Sequence, residues 1–333
     1  MKTQPKDLES KAIALALSEH WNIECSSLCY APLGFGSHHW VADTIDGQKW
    51  FVTVDGLQAH YSGDSADASF NTLTSAFQMA VLLRDVANLP FVIAPLVDAS
   101  GRAIVRLSDH FAIAVFPYLD VESSEFGEFR NQSDRLEAMV RIGEVHNATS
   151  DISVTSLRRN TLAIPNRAGL LVALGSIDTA WSAGPYSEPA RQLLRQHAST
   201  LLKRLDDFDD LAKSVMGSRS GWVISHGEPH AGNVIRTRTG ELVVVDWDTV
   251  AYAPRERDLW MMVNESNSDW SIYRDVTGIE SLSTPAMAAY RIYWDLSEIA
   301  IYVSWCLKPH ERTDEMEIAW TRLQEYVAFN PSH

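Results

Sequence analysis

Residues 222–248 read WVISHGEPHAGNVIRTRTGELVVVDWD. Two short apolar runs each end in polar residues: His226, Glu228, His230 and Asn233 after the first, Asp246 and Asp248 after the second. Thr239-Gly240 marks a turn between them. Polar side chains at the mouths of short strands are held by rigid backbone and still reach a ligand, so chemistry tends to sit there. The spacing is specific: an acidic residue precedes Asn233 by five positions, and Asp246 follows it by thirteen.

The flanking sequence predicts what carries this island. Before it, residues 7–20 have helical spacing, and residues 40–55 alternate around Asp46-Gly47 as a hairpin. LGFGSHH (33–39) is a glycine-containing turn entering that hairpin. A helix is expected over 69–87, strands over 91–98 and 111–120, and a hairpin arm between those two. This is a small antiparallel sheet with one or two helices. After a polar, loop-like junction at 122–133 the chain becomes mainly helical, with helices over 133–149, 186–217 and from 285 onward.

The chain has 333 residues, 46% of them hydrophobic, enough for two lobes or domains. A formal charge of −15 argues against non-specific nucleic-acid binding and would draw a cationic small molecule. Three cysteines, Cys25, Cys29 and Cys306, build no disulfide framework. No apolar run approaches the ~18 residues of a membrane span, and no secretory pattern opens the chain. A cytoplasmic enzyme, monomer or homodimer, with a small-molecule substrate and no membrane partner is expected.

HGEPHAGN at 226–233 followed by DWD at 246–248 resembles the catalytic loop and metal-binding hairpin of protein-kinase-like folds. In this form it is similar to the aminoglycoside phosphotransferase and choline kinase families. WDTVAYAPRERDL (247–259) resembles the spectinomycin phosphotransferase type of antibiotic kinase. The resemblance implies an α+β, bilobal fold: a nucleotide-binding lobe over 1–117 and a catalytic, substrate-binding helical lobe over 118–333. It implies ATP or GTP with Mg²⁺, the metal held by Asn233, Asp246 and Asp248. Glu228 would accept or orient the proton of an acceptor hydroxyl, and His226 would orient the loop with His230 beside it. Asp258 would receive the loop's backbone N–H groups. Gly34, Gly36, Ser37 and Thr53, with Phe116 and Tyr118 of the hinge FPYLD (116–120), would contact the nucleotide. Asp295 and Glu298, in a stretch like the family's late substrate helix (290–302), would meet a cationic acceptor.

Three positions depart from the family. Glu228 stands where it has Asp, and one methylene moves the carboxylate by roughly 1 Å, which can cost about 10²-fold in rate. Thr53 stands where it has a phosphate-gripping lysine. The next helix lacks the lysine's Glu partner, since residues 68–84 contain no acid. Lys49, Arg84 and Arg106 are candidates to replace the lost charge, and His38 and His39 lie in the glycine turn. Arg255 and Arg257 are expected to be surface ion-pair residues. The expected function is therefore a small-molecule kinase, with a pseudokinase-like binding or regulatory protein as the alternative.

Overall fold

The computed structural model describes residues 3–5, 7–34, 36–57, 65–121, 127, 129–218, 221–263 and 268–329. The chain divides into two compact units, residues 1–60, 64–160 and 220–282 in one and 61–63, 161–219 and 283–333 in the other.

In the first unit, helix α1 (Ser10–Trp21) leads to strands β1 (Cys25–Ala31), β2 (Ser37–Thr44) and β3 (Lys49–Gly56). Helix α2 (Ala66–Asp85), β4 (Val105–Arg106) and β5 (Phe111–Pro117) follow. The five strands pair antiparallel in the order β1-β2-β3-β5-β4. The β2–β3 turn has Gly47 at φ +83, a left-handed conformation in which a side chain would be strained. That turn sets the register: Asp43 opposite Lys49, His39 opposite Thr53, Ser37 opposite Asp55. One face of the sheet is apolar, with Trp40, Ala42, Val52 and Val54 buried against Ile13 and Leu17 of α1. Alternate residues therefore turn His39, Phe51, Thr53 and Asp55 to the opposite face.

The same unit contains α3 (Gln132–Asn147), capped by Asn131 on the Asp134 N–H. Two short antiparallel pairs complete it: β6 (Trp222–Ser225) with β9 (Ala251–Pro254), and β7 (Val234–Arg236) with β8 (Leu242–Val244). Helices α6 (Glu256–Leu259) and α7 (Ser271–Thr277) come last in the unit. The second unit is helical: α4 (Arg167–Gly175), α5 (Ser187–Gly217), α8 (Thr284–Cys306) and α9 (Asp314–Val327). Ser187 Oγ donates to the Cys306 carbonyl at 2.7 Å, tying the start of α5 to the end of α8.

Two local expectations fail. Residues 91–98 form no strand: a bridge joins Val92 to Val244, and Leu96 N–H donates to Val115. Pro95 has no N–H to continue a ladder. Conversely, β1 is a seven-residue strand that the sequence pattern did not announce. Its mixed Cys, Ser and Tyr residues lack clean alternation. The junction expected at 122–133 lies partly outside the described residues, at 122–126 and 128. No helix among the described residues is long and apolar enough to cross a membrane.

Candidate functional site

The polar island forms one loop, 226–233, closed on itself by a buried carboxylate. Asp258 Oδ1 accepts from Gly227 N–H at 2.6 Å and from Ser225 Oγ at 2.7 Å. Its Oδ2 accepts from His226 N–H at 2.9 Å, with His146 Nε2 also at 2.9 Å. Burial alone would push this carboxyl up. The hydrogen bond and charge of His146, then the Arg257 guanidinium, outweigh burial and hold it at about 2. The expected role of Asp258 thus has a geometry that supports it.

Arg257 corrects the sequence reading. It is buried, not a surface residue, and donates to the Ser225 carbonyl at 3.3 Å and the Thr249 carbonyl at 2.9 Å. Thr249 Oγ1 in turn donates to the His226 carbonyl at 2.8 Å.

His226 is fully buried, and burial lowers its pKa to about 4, so the ring is neutral at pH 7. Nδ1 accepts from Glu228 N–H at 3.2 Å, which leaves the proton on Nε2 to be donated to the Val245 carbonyl at 2.8 Å. The ring meets Trp247 edge-on, with centroids 4.7 Å apart. His226 thereby ties the loop to the residue before Asp246. Asn233 is buried and donates from Nδ2 to the Glu228 carbonyl at 3.0 Å, while Val245 N–H donates to its main-chain carbonyl at 2.9 Å. Its Oδ1 is left as an acceptor. His230 Nε2 lies 3.9 Å from Glu228 Oε2, but burial holds that imidazole at about 4, so it brings no positive charge at pH 7.

Asp246 sits at φ +64, a left-handed conformation uncommon outside glycine that costs of order 1 kcal/mol. The residue is exposed to solvent. Enclosure, then the charges of Asp248, Glu228 and Asp55, drive its carboxyl well above the ordinary range. Because part of the residue is wetted, the crowding of like charges is the stronger reason. Asp248 is raised by burial, against the pull of Arg158 and a hydrogen bond from Asp246. Asp246 and Asp248 crowd like charge that a divalent cation would relieve, and with the Asn233 amide oxygen they are hard-oxygen groups of the kind Mg²⁺ takes. Among the described residues no three His, Cys, Asp or Glu side chains form a ready-made cage. A site completed by an amide, water and a ligand's phosphates would need none.

On the sheet, Gly34 and Gly36 take φ +61 and +91, and Ser37 starts β2. Thr53 is buried opposite His39, and His39 Nδ1 lies 3.2 Å from its Oγ1. Phe116 faces Phe51 across the β3–β5 pair and meets Phe77 edge-on. Tyr118 is exposed under the Lys49 ammonium, 5.6 Å from its ring centre. The cations offered as lysine substitutes have other partners. Lys49 pairs with Asp43 at 3.3 Å, Arg84 with Asp85 at 2.6 Å and Arg106 with Asp67 at 2.8 Å.

Asp55 was not singled out from the sequence. It is buried, accepts from Ser37 Oγ at 2.5 Å through Oδ1, and among the described residues has no partner for Oδ2. Burial raises its pKa to about 7, Ser37 opposes that, and the charge of Asp248 adds to it. Asp295 and Glu298 belong to α8 in the second unit. Asp295 is 3.3 Å from Arg204 and raised to about 6 by burial, and Glu298 is raised by burial and hydrogen-bonded by Tyr302.

A sequence profile of the phosphotransferase enzyme family matches residues 41–293. No curated protein matches the chain in sequence. Among solved structures, the chain resembles spectinomycin phosphotransferase in complex with ADP and spectinomycin, at TM-score 0.76 and 16% identity over 98% of this chain and 99% of that one. It also resembles a microcompartment-associated aminopropanol kinase, at TM-score 0.60 and 14% identity over 97% and 95%. An amicoumacin kinase in complex with AMP-PNP and Ca²⁺ aligns at TM-score 0.59 and 12% identity over 98% and 95%. At these identities the likeness establishes the fold, an α+β kinase-like one with an antiparallel sheet followed by a helical region.

Proposed function

The chain belongs to the phosphotransferase enzyme family, and from that premise we propose that it is a small-molecule kinase. It moves the γ-phosphoryl group of ATP or GTP to a hydroxyl of an aminoglycoside-like, aminocyclitol-like or related metabolite. Residues 1–117 bind the nucleotide, and residues 118–333 carry the catalytic loop and the acceptor site. The observation that carries this reading is the brace of Asp258 under the 226–233 loop, together with the Asn233 tie to the Glu228 carbonyl. These bonds hold the backbone that presents Glu228 and Asn233, which supports a positioned carboxylate and amide of the kind phosphoryl transfer requires.

A divalent cation bound by Asn233, Asp246 and Asp248 would neutralise the phosphates as charge shifts to the leaving oxygen. Glu228 aligns the acceptor hydroxyl and takes its proton as the new P–O bond forms. His226 and His230, both neutral at pH 7, bring no positive charge to that carboxylate. A protein used only for binding needs no proton-accepting group, so a carboxylate at Glu228 beside Asn233, Asp246 and Asp248 favours turnover over the pseudokinase alternative. A cationic acceptor suits the acidity of the chain.

The test is nucleoside-diphosphate release from ATP and from GTP with Mg²⁺ across a panel of hydroxylated amines. Release stimulated by at least one acceptor is expected. Nucleotide binding with no transfer to any hydroxyl would favour the pseudokinase instead.

A further inference from the structure

The sheet face opposite the α1 core carries two cross-strand polar pairs at adjacent positions. Ser37 Oγ donates to Asp55 at 2.5 Å, and His39 Nδ1 lies 3.2 Å from Thr53 Oγ1. His38, the neighbouring histidine, turns the other way, its Nδ1 3.2 Å from the Tyr30 hydroxyl. His39 is therefore the histidine on the face shared with Asp55, whose charge is felt by Asp246.

Three contacts define the ring of His39. It stacks on Phe51 with centroids 5.0 Å apart and an interplanar angle of 26°. Thr53 engages Nδ1. Nε2 lies 3.6 Å from where a Cβ of Gly34 would stand, so that nitrogen is the part of the ring next to Gly34. Where the Thr53 hydroxyl is the donor in this contact, a neutral imidazole carries its proton on Nε2. Burial, which lowers the His39 pKa to about 4, keeps the ring neutral.

We propose that His39, oriented by Thr53, donates its Nε2–H to a nucleotide phosphate oxygen beside Gly34, in place of a strand lysine. This rests on the kinase reading above. Lys49, Arg84 and Arg106 are held by Asp43, Asp85 and Asp67, which leaves His39 as the donor that the geometry directs to the turn. A lysine brings a charge, and an imidazole N–H brings direction alone. The nucleotide's charge is then countered mainly by the divalent cation, so phosphate affinity depends on metal more steeply than a lysine would allow. Thr53 is a positioning residue, since it acts through the tautomer it imposes.

The experiment is calorimetric titration of the protein, His39→Ala and His39→Gln with adenosine, guanosine, Mg·ADP and Mg·GDP. For whichever base binds, His39→Ala is expected to weaken the diphosphate about tenfold or more, the worth of one hydrogen bond to a charged group. Nucleoside affinity should stay within about twofold, and His39→Gln should recover part of the loss. Equal diphosphate affinity in His39→Ala and the unmodified protein overturns the role of His39 and leaves the kinase reading standing. Failure of the unmodified protein to bind any nucleoside or nucleotide overturns both.

Nitrogen-15 spectra of the unmodified protein provide a second readout that needs no folded His39→Ala variant. The His39 ring should show protonated Nε2, and that nitrogen should shift with Mg·ADP or Mg·GDP but not with nucleoside. A ring protonated on Nδ1, or one that ignores the diphosphate, contradicts the proposal. In Thr53→Val the Nδ1-protonated tautomer should grow and diphosphate affinity fall, whereas a purely structural threonine would leave the tautomer ratio unchanged.

Discussion

A Cβ on Gly227 would fall 2.2 Å from Arg257 Nη2, and Gly227 itself sits at φ +106. The 226–233 loop is thus packed onto a buried guanidinium so closely that only glycine fits. Gly227→Ala meets both a steric clash and a strained backbone, and should cost at least about 2 kcal/mol. Denaturant midpoints measure this. In a double-mutant cycle, Arg257→Ala should relieve part of the Gly227→Ala cost, because the two residues share one space.

Asp258 should be among the most costly carboxylates to remove. Asp258→Asn loses the charge that four donors share, and a loss of about 3 kcal/mol or more at pH 7 is expected. The pH dependence follows from its lowered pKa of about 2. The group's stabilisation is fully present above the unfolded-state value near 4 and fades as pH falls from about 4 toward 2. Melting temperatures should therefore drop faster below pH 4 in the unmodified protein than in Asp258→Asn.

Asp55 behaves in the opposite sense. With its pKa raised to about 7, the folded protein holds a proton there that the unfolded chain releases near 4. Its ionisation costs stability as pH rises from about 4 to 7, and the full cost remains above 7. In a chelator, Asp55→Asn should gain stability at pH 8, up to about 4 kcal/mol, and gain little at pH 4. A gain equal at both pH values would contradict a titrating Asp55.

How much of this was legible in the sequence depends on how local the signal is. The loop and its hairpin could be placed from spacing, because those residues follow one another within 222–248, and Asp258 from the resemblance of 247–259 to a known family. The His39–Thr53 and Ser37–Asp55 pairs were within reach: counting outward from the Asp46-Gly47 turn puts both in register, and period-two alternation puts them on one face. Burial of Arg257 was not legible. A basic residue in RERDL reads as solvated until the loop it supports is seen folded around it. Residues 91–98 look like a strand because they are apolar, yet their backbone is satisfied by single bonds to Val244 and Val115.

Glu228 separates proton transfer from simple presence of charge. Glu228→Gln should lower turnover by about 10²-fold or more with little change in nucleotide affinity, because an amide cannot take the proton. Glu228→Asp should keep or raise the rate, since it restores the carboxylate position that the family uses. Steady-state kinetics on the best acceptor of the panel measure both. Equal rates for Glu228→Gln and the unmodified protein would remove Glu228 from the chemistry.

The central claim is a nucleotide–metal site built on Asn233, Asp246 and Asp248. Its most direct test is the melting temperature of the protein with ATP and GTP, each with and without Mg²⁺, beside Asp246→Ala. A ligand bound only to the folded state raises that temperature in proportion to RT ln(1 + [L]/Kd). The account predicts a Mg²⁺-dependent rise with at least one nucleotide that Asp246→Ala abolishes. No rise with either nucleotide, or an equal rise in Asp246→Ala, would contradict it.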